Sequence, residues 1–237
     1  MSNWFYLNFP SLLVVVPGAV GALGWAYGCL RVAGYLKKRG VRTGYTRKLF
    51  HALIFLSAVA ANAWGGFVAV CVFGVMVSLV VGLAVLRGPN DPLYEALARE
   101  QDGPARTYYI VIPYFATLIG GLTSNILFGP LAVVGYLVGG LGDAAGEPAG
   151  TRWGRHYLSA RVTKTFEGSI AVLMASVVAL LIAVAITPEL HLDLRSAITL
   201  PLIAIVCTLI EAFSPRGWDN VPMQVVPTLL VASLLLK

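Results

Sequence analysis

Long uncharged apolar runs alternate along the chain with short stretches that hold almost all of its charged residues. The longest runs are 1–30, 49–86 and 107–142, and shorter ones are 168–188, 196–210 and 220–236. A membrane-spanning helix needs roughly 20 apolar residues. Lipid offers the backbone no hydrogen-bond partners, so runs of this length must form helices, and they lack the alternating polarity of β-barrel strands. The pattern predicts an all-α, polytopic bundle of transmembrane helices, with the whole chain in one integral membrane domain.

Two of the runs are long enough to cross a membrane twice. Gly and Pro interrupt helices where backbone groups can reach water. We therefore expect one turn within 62–66, which holds Asn62 and two glycines, and another at Gly129-Pro130. This division gives about eight segments, or seven if the second segment, 50–63, crosses only part of the bilayer.

Basic residues mark one side of the predicted bundle. If the N-terminus lies outside, the inner connections are 31–48, 87–106, 151–164 and 214–219, and they hold fifteen of the 17 Lys and Arg residues. Cytoplasmic loops of membrane proteins carry such an excess. The distribution therefore predicts that these connections face the cytoplasm, in the plasma (inner) membrane of a prokaryote. It also supports the segment count, because the loss of one crossing would scatter the charges over both faces.

Composition narrows the range of functions. Hydrophobic residues make up 58% of the chain and charged residues 12%, about half the share of charge in a soluble domain. The net charge of +6 fits this topology and attraction to anionic lipid, and a basic face could also attract a nucleotide. We expect no nucleic-acid binding, because the stretches between the apolar runs offer no separate soluble domain for it. The cysteines, Cys29, Cys71 and Cys207, lie singly in apolar runs, which argues against a zinc site or a redox pair.

Charged residues at the ends of apolar runs are the candidates for chemistry, because a carboxylate at the bilayer centre costs about 2.5–3.5 kcal/mol. At the start of the second segment, Arg47, Lys48 and His51 lie close together, and Arg47 and His51 share one helix face. Arg47 and Lys48 could be no more than a positive-inside anchor. His51 at the membrane boundary is harder to explain without a function.

A second polar group, within 139–155, ends an apolar run with two carboxylates. Asp143 and Glu147 are four residues apart on one helix face, where they would repel each other unless a cation lies between them. Arg152 and Arg155 follow, and guanidinium groups suit phosphate oxygens. Glycines recur at helical spacing, namely Gly135, Gly139, Gly142, Gly146 and Gly150. Such a stripe permits close approach of another helix or of a ligand.

Two further polar groups lie near helix ends. The sixth segment opens with Lys164, Thr165, Phe166, Glu167, Gly168 and Ser169. A helix N-terminus is a ready anion site, so the lysine and the hydroxyls could hold phosphate. Alternatively, Thr165 caps the helix and Glu167 complements its dipole. The fourth group, Glu211 with Asp219-Asn220, brackets the turn before the last segment, and alone it would indicate only a solvated turn.

All four groups fall on the cytoplasmic side of the predicted topology. Mg²⁺ in proteins typically takes one or two carboxylates together with substrate phosphates. Acidic side chains that could hold Mg²⁺ and basic side chains that could hold phosphates would thus meet on one face. The residues alone predict phosphoryl or nucleotidyl transfer to a lipid at the membrane surface.

Taken in order, the four groups resemble the motifs of the CTP-dependent lipid alcohol kinases, the family of phytol kinase, dolichol kinase and the yeast-type diacylglycerol kinase. Arg47, Lys48 and His51 match the family's Arg-Lys-x-x-His motif, and 142–155, from Gly142-Asp143 to Arg155, matches its Gly-Asp stretch with the Gly-rich basic continuation. The stretch from Lys164 to Ser169 matches Lys-Ser/Thr-x-Glu-Gly-Ser. Glu211 with Asp219-Asn220 matches the last motif. The likeness spans about 46–220. Two positions depart from it. Glu147-Pro148 stands where many relatives have small or apolar residues, and Phe55 stands where a glycine often follows the histidine.

The resemblance implies transfer of the γ-phosphate of CTP to a lipid alcohol such as phytol, a polyprenol or dolichol. It implies that Asp143, assisted by Glu147 or Asp219, holds Mg²⁺, and that Glu167 holds a second metal or orients Lys164. His51 or Asp219 would accept the hydroxyl proton as general base. The implied phosphate-binding residues are Arg47, Lys48, Arg152, Arg155, Lys164, Thr165 and Ser169.

Two other functions fit part of the sequence. The CTP:phosphatidate cytidylyltransferases share the acidic Gly-rich helix and the Lys-Thr-x-Glu-Gly stretch, but they typically lack Arg-Lys-x-x-His, which favours the kinase. A transporter or scaffold has less support, because no inverted repeat is visible and the acidic residues gather at one face rather than near the midplane. The expected partners are CTP, a lipid alcohol and the bilayer, without nucleic acid. The glycine stripe could pack helices within one subunit or between the subunits of a homo-oligomer.

Overall fold

Apolar helices make up most of the chain in the computed structural model, which describes residues 11–158 and 164–236. The helices are α1 (Leu12–Lys38), α2 (Thr43–Arg87), α3 (Pro92–Glu95), α4 (Tyr108–Phe128), α5 (Val133–Leu137), α6 (Asp143–Trp153), α7 (Phe166–Ile186), α8 (Leu194–Phe213) and α9 (Asn220–Leu235). Short 3-10 turns cover Glu100–Ala105 and Gly129–Ala132, and a π turn covers Val138–Gly142. No strand occurs among the described residues, so the all-α prediction is confirmed for that part of the chain.

Five helical stretches within the described residues are long and apolar enough to cross a membrane. They are Leu13–Lys38, Thr43–Arg87, Tyr108–Trp153, Phe166–Ile186 and Leu194–Phe213. The apolar helix α9 is shorter. These stretches support the prediction of an integral membrane protein. The expected outward N-terminus, at 1–10, and part of the third basic connection, 159–163, lie outside the described residues.

Helix α2 is a hairpin rather than one straight rod. Its backbone leaves helical geometry at Gly66, with φ 57° and ψ −150°, a conformation that glycine adopts without steric cost. The Thr46 hydroxyl donates to the carbonyl of Ala96 over 2.8 Å. The chain that follows α2 has therefore returned to the level at which α2 begins. The expected turn within 62–66 is found at Gly66.

A second hairpin runs from α4 to α6. The chain turns at Gly129, which has φ 56°, and the Asn125 amide on one arm donates to the Tyr136 hydroxyl on the other. Both open ends of this hairpin reach the start of α9. The Asn220 amide donates to the Pro113 carbonyl over 2.9 Å, and carboxylate oxygens of Asp143 and Asp219 lie within 4.8 Å of each other.

The glycine stripe lets the second hairpin pack closely against two other helices. A Cβ atom added at Gly135 would lie 2.2 Å from the Gln224 carbonyl oxygen of α9, and one added at Gly142 would lie 2.5 Å from Ser176 Oγ of α7. Contacts this short leave no room for a side chain. The stripe therefore holds α5, the π turn and α6 against α9 and α7.

Most of the charged side chains lie at one end of the bundle, the polar end. It holds the C-terminal end of α1, both open ends of the α2 hairpin, the loop 88–107 and the start of α9. The Lys37 ammonium pairs with Glu100 over 2.5 Å. Trp25, about three turns before Lys37 in α1, donates from Nε1 to Ser57 Oγ over 2.8 Å. These contacts dock α1 on the α2 hairpin with its basic end at the polar end.

Candidate active site

A cavity of about 860 Å³ opens at the polar end. Members of all four polar groups from the sequence line it: Arg47, Lys48, His51, Asp143, Glu147, Lys164, Thr165, Gly168, Ser169, Glu211, Asp219 and Asn220. The two hairpins explain this convergence, because each returns the chain to the end from which it started. Groups that are far apart in sequence therefore share one cavity.

A buried ion pair joins the first two groups. Lys48 Nζ lies 2.6 Å from Asp143 Oδ2, and these residues are only 9% and 5% exposed. His51 Nε2 lies 3.4 Å from the same carboxylate oxygen and 3.0 Å from the carbonyl oxygen of Gly139. A carbonyl oxygen can only accept, so this contact favours a proton on Nε2 and leaves Nδ1 of a neutral imidazole as an acceptor.

The carbonyl that His51 contacts belongs to the π turn that carries Asp143. π turns interrupt the regular hydrogen-bond ladder of an α-helix and occur often at functional sites. Here Val138–Gly142 immediately precedes Asp143 at the start of α6. The turn thus presents the Gly139 carbonyl and the Asp143 carboxylate to the same imidazole.

Glu147 is held by two guanidinium groups instead of lying beside Asp143 as a metal ligand. Arg47 Nη2 donates to Glu147 Oε2 and Arg99 Nη1 donates to Glu147 Oε1, each over 2.9 Å. Both carboxylate oxygens are therefore occupied by charge-assisted hydrogen bonds. The structure does not bring Glu147 into the carboxylate cluster that the sequence led us to expect around it.

Three other carboxylates do lie together, those of Asp143, Glu211 and Asp219. One oxygen of each lies within 4.8 Å of the others. Lys164 partly neutralises the cluster, with Nζ 3.1 Å from Glu211 Oε1 and 3.6 Å from Asp219 Oδ2. Burial, followed by the neighbouring Asp143 carboxylate, raises the pKa of Asp219. Glu211, which looked like part of a solvated turn in the sequence, is thus a member of the cluster.

The donor set at this cluster fits a divalent cation. Asn220 is 4% exposed and lines the cavity, and its Oδ1 atom has no hydrogen-bond partner. Carboxylate oxygens and an unpartnered amide oxygen on the residue next to Asp219 are hard ligands of the kind that Mg²⁺ takes. A cation bound there would compete with the Lys164 ammonium for Glu211 and Asp219.

The third polar group divides between capping and lining the cavity. Thr165 Oγ1 accepts from the Gly168 N–H over 3.1 Å, so Thr165 caps α7. Ser169 lines the cavity, and its buried Oγ atom makes no hydrogen bond. Glu167 pairs with His156 Nδ1 over 2.7 Å. Glu167 is therefore not a member of the cluster formed by Asp143, Glu211 and Asp219. The expectation that Glu167 holds a second metal next to this cluster does not fit the structure.

Arg152 and Arg155 do not reach the cavity, although the resemblance implies that they bind phosphate. Both are exposed, and neither belongs to the cavity lining. The Arg152 guanidinium instead lies over the Trp153 ring, 5.4 Å from its centroid. Gly150, Thr151 and Gly154, which are their neighbours in the chain, line the cavity, whereas the two arginine side chains face solvent.

The glycines among the candidate residues make helix contacts. A Cβ atom at Gly146 would lie 2.8 Å from Val172 Cγ2, and one at Gly168 would lie 3.0 Å from the Gly146 carbonyl oxygen. Gly142, as described above, meets Ser176. The helix-packing interpretation therefore accounts for all three, since the atoms that approach them belong to the neighbouring helix or its backbone.

The sequence analysis missed three residues of the cavity lining, Arg99, Tyr109 and Arg216, and the buried Asp102 that pairs with both arginines. Arg216 Nη2 lies 2.5 Å from Asp102 Oδ1, and Arg99 Nε lies 3.5 Å from Asp102 Oδ2. The Arg216 guanidinium lies over the Tyr109 ring, 4.5 Å from its centroid. In the sequence the two arginines are ordinary positive-inside charges. The only signal was that each lies in a basic connection with turn-forming Gly and Pro nearby.

One wall of the cavity is apolar. Side chains from both arms of α2 and from α4 form it: Phe50, Ile54, Val77, Val81, Ile110 and Tyr114. The Tyr114 hydroxyl shares a 2.7 Å hydrogen bond with Ser78 Oγ. A molecule with a charged head and an apolar tail could place the head against the ion pairs and the tail against this wall.

Comparison with protein-family models, with curated proteins and with solved structures finds no match to this chain. The function is therefore argued from the site itself.

Proposed function

We propose that this protein is an integral membrane enzyme that transfers the γ-phosphate of CTP to an isoprenoid or other lipid alcohol at the cytoplasmic membrane face. The observation that carries the proposal is one cavity that combines three clustered carboxylates, several cationic side chains and an apolar wall. The carboxylates suit a metal ion, the cations suit phosphates and the wall suits a lipid tail. The four motifs that resemble the CTP-dependent lipid alcohol kinases supply the residues around it.

We further propose eight membrane crossings with the N-terminus outside. The crossings would be α1, the two arms of α2, α4, the arm 129–153, α7, α8 and α9. The arms of α2, 43–65 and 67–87, would each be about 32–35 Å long at a rise of about 1.5 Å per residue, which suits a hydrocarbon core of about 30 Å. The basic connections would then face the cytoplasm, as the positive-inside rule requires. For a prokaryotic protein, this membrane is the plasma membrane.

In this proposal Asp143, Glu211 and Asp219 hold Mg²⁺ with the help of Asn220 Oδ1. Mg²⁺, when bound, neutralises phosphate charge and fixes the phosphates in place. Arg47 and Lys164 contribute positive charge to the phosphate oxygens, because catalysis of phosphoryl transfer consists mainly of positioning and charge stabilisation. Lys48 holds Asp143 in place through the buried ion pair.

His51 is the better placed of the two candidate general bases. Its Nε2 atom is engaged by the Gly139 carbonyl, so Nδ1 can accept the proton of the lipid hydroxyl. The alcohol oxygen then bonds to the γ-phosphorus as the bond from that phosphorus to the bridging oxygen breaks. The products are the lipid monophosphate and CDP, with the proton on His51. The tail would lie along the apolar wall between α2 and α4.

A product assay tests the proposal. Purified protein in detergent receives Mg²⁺, a panel of lipid alcohols and CTP labelled at the α- or γ-phosphate in parallel reactions. We expect γ-label in the lipid and α-label in CDP. Entry of α-label into a phospholipid with release of pyrophosphate would instead identify a CTP:phosphatidate cytidylyltransferase. Transfer of neither label to any acceptor would reject both enzymes.

Two substitutions connect the activity to the site. Asp143→Asn should abolish turnover while the protein stays in the membrane, because it removes a carboxylate from the cluster. Arg39→Gln is the matched control, since Arg39 is exposed, outside the cavity lining and in none of the four motifs. Turnover of Asp143→Asn at the wild-type rate would refute the assignment of the cluster.

A further inference from the structure

Three guanidinium groups meet at one side of the cavity, and only one of them belongs to the four motifs. Arg47, Arg99 and Arg216 all line the cavity. Arg47 and Arg99 share the carboxylate of Glu147, each over 2.9 Å. Arg99 and Arg216 share the carboxylate of Asp102. The three cations thus form a chain linked by two carboxylates.

Asp102 lies behind this chain of cations. Its side chain is 1% exposed, and it does not belong to the cavity lining. The Tyr109 ring, which does line the cavity, lies against the Arg216 guanidinium. Arg99 and Arg216 are therefore fixed from behind and from the side, while their remaining surface faces the cavity.

The cations outnumber the carboxylates, and some of their donors are unused. Three guanidinium groups against two carboxylates leave one positive charge unmatched in this part of the cavity. Burial, followed by repulsion from Arg47, lowers the pKa of Arg99, and Arg216 adds to that repulsion. The buried Nε atom of Arg47 makes no hydrogen bond. Crowded, partly unsatisfied guanidinium groups in a cavity attract an anion with several oxygens.

We infer that Arg99 and Arg216 complete, with Arg47, a polyphosphate subsite that receives the phosphate chain of the nucleotide. Tyr109 is a positioning residue for Arg216, whereas the Asp102 charge competes with the anion for the two added arginines. The identity of the ligand as a nucleotide rests on the proposed function, whereas the affinity for a polyphosphate anion does not. A phospholipid headgroup would present the same oxygens, so the experiment below compares the two sources.

A purely structural network makes a different prediction for Asp102. If the arginines only stabilise the fold, then Asp102→Asn and Arg99→Gln both cost stability and neither changes anion affinity. If the arginines bind the anion, the two substitutions act in opposite directions. Loss of Arg99 removes an attractive charge, whereas loss of the Asp102 charge removes a repulsive one close to the bound anion.

The experiment measures equilibrium binding by calorimetry to purified protein in detergent, in the presence of EDTA so that no divalent cation takes part. The probes are inorganic tripolyphosphate, CTP and short-chain phosphatidate. The variants are Arg99→Gln, Arg216→Met and Asp102→Asn, with Arg39→Gln as the matched control. Thermal unfolding without ligand is recorded for each variant, and Arg99→Lys and Arg216→Lys replace any arginine variant that does not fold.

We expect Arg99→Gln and Arg216→Met to weaken binding of tripolyphosphate and of CTP about tenfold or more, the usual effect of losing a hydrogen bond to a charged group. The lysine variants keep the charge but lose the planar fork, so they should show a smaller loss. Asp102→Asn should tighten binding severalfold, and Arg39→Gln should match the wild type.

Three outcomes would overturn the inference. The first is wild-type affinity in both arginine variants, or no binding of tripolyphosphate and CTP to the wild type. The second is a loss in Asp102→Asn equal to that in the arginine variants. The third is a loss of affinity for phosphatidate alone. The test is independent of the product assay. If the protein shows no kinase activity but its arginine variants bind tripolyphosphate more weakly than the wild type, the inferred subsite stands and the proposed function fails. If the protein is an active kinase but its arginine variants keep full affinity, the proposed function stands and the inferred subsite is rejected.

Discussion

The buried pair of Lys48 and Asp143 allows a prediction in which its two partners behave unequally. Breaking a buried ion pair by removing one partner costs about 3–5 kcal/mol, because the other charge stays buried and uncompensated. Lys48→Met should reach the upper part of that range. It leaves Asp143 beside Glu211 and Asp219, whose oxygens lie within 4.8 Å, without its closest cation.

Asp143→Asn should cost much less. It strands Lys48, but it also removes one carboxylate from a crowded cluster. Two charges 4.8 Å apart repel by about 3 kcal/mol at an effective dielectric constant of about 20, and relief of this repulsion offsets most of the cost. We therefore expect a difference of about 3 kcal/mol between the two single variants. The double variant Lys48→Met/Asp143→Asn should be more stable than Lys48→Met alone.

The free energy of unfolding is measured by denaturant titration of the purified variants in one detergent, without divalent cations. A double-mutant cycle then gives the coupling between Lys48 and Asp143. Equal destabilisation by the two single variants would refute the reasoning, because it would mean that Glu211 and Asp219 do not repel Asp143. A coupling energy of zero between Lys48 and Asp143 in this cycle would refute the ion pair itself. Asp143→Asn should be inactive even where it is stable, which separates the role of Asp143 in function from its role in folding.

Two further predictions concern packing and pH. Gly135→Ala should destabilise the protein by about 1–3 kcal/mol, since the new Cβ would lie 2.2 Å from the Gln224 carbonyl oxygen, which cannot move aside. Gly82→Ala is the control, because a Cβ atom at Gly82 meets nothing within 4 Å. It should leave the free energy of unfolding unchanged in the same assay. Partial burial raises the pKa of Glu95, but hydrogen bonds from Arg106 and Asn90 outweigh it and lower the pKa overall. Glu95 therefore contributes stability above its unfolded pKa, about 4.3, and the contribution is lost as pH falls through the lower folded value. Melting temperatures recorded between neutral pH and about pH 3 should fall less in Glu95→Gln than in the wild type, and equal slopes would contradict this account.

Local signals explain why the main helices and their breaks could be predicted. An apolar run of sufficient length must be helical in lipid whatever it packs against. A glycine that needs positive φ ends a helix through its own backbone, as Gly66 and Gly129 do. The glycine stripe likewise predicted close packing. The sequence could not choose between a helix and a ligand as the neighbour, because that choice depends on where α7 and α9 lie.

From the sequence one could predict that the four motifs meet at one end of the bundle, but not which side chains pair there. Topology places four motifs at one end, but it does not say which charge meets which. Arg99 lies 48 residues from the carboxylate of Glu147 that it binds, and Arg216 lies 114 residues from Asp102. Four-residue spacing suggested that Asp143 and Glu147 would share a cation. In the structure a different cation reaches each of them, Lys48 for Asp143 and Arg47 for Glu147, so the pair separates.

These pairings give the proposed function a physical advantage. Every carboxylate of the cavity has a cationic partner from another helix or loop, so no carboxylate there is unpaired before a ligand binds. Under the proposed function, phosphate oxygens would take over guanidinium groups that now hold Glu147, and a divalent cation would take over Glu211 and Asp219, which Lys164 now contacts. Ligand binding would then exchange partners instead of burying unpaired charge, which avoids the large cost of desolvating isolated ions near the bilayer.

Lys164 would couple the binding of the metal ion to the binding of the nucleotide. A metal ion that displaces Lys164 from the carboxylates frees its ammonium group for the phosphates. Cation and nucleotide should therefore bind with positive cooperativity in the wild type, and this coupling should disappear in Lys164→Met, when CTP binding is measured by calorimetry with and without Mg²⁺. Equal cooperativity in the two proteins would show that Lys164 does not exchange partners.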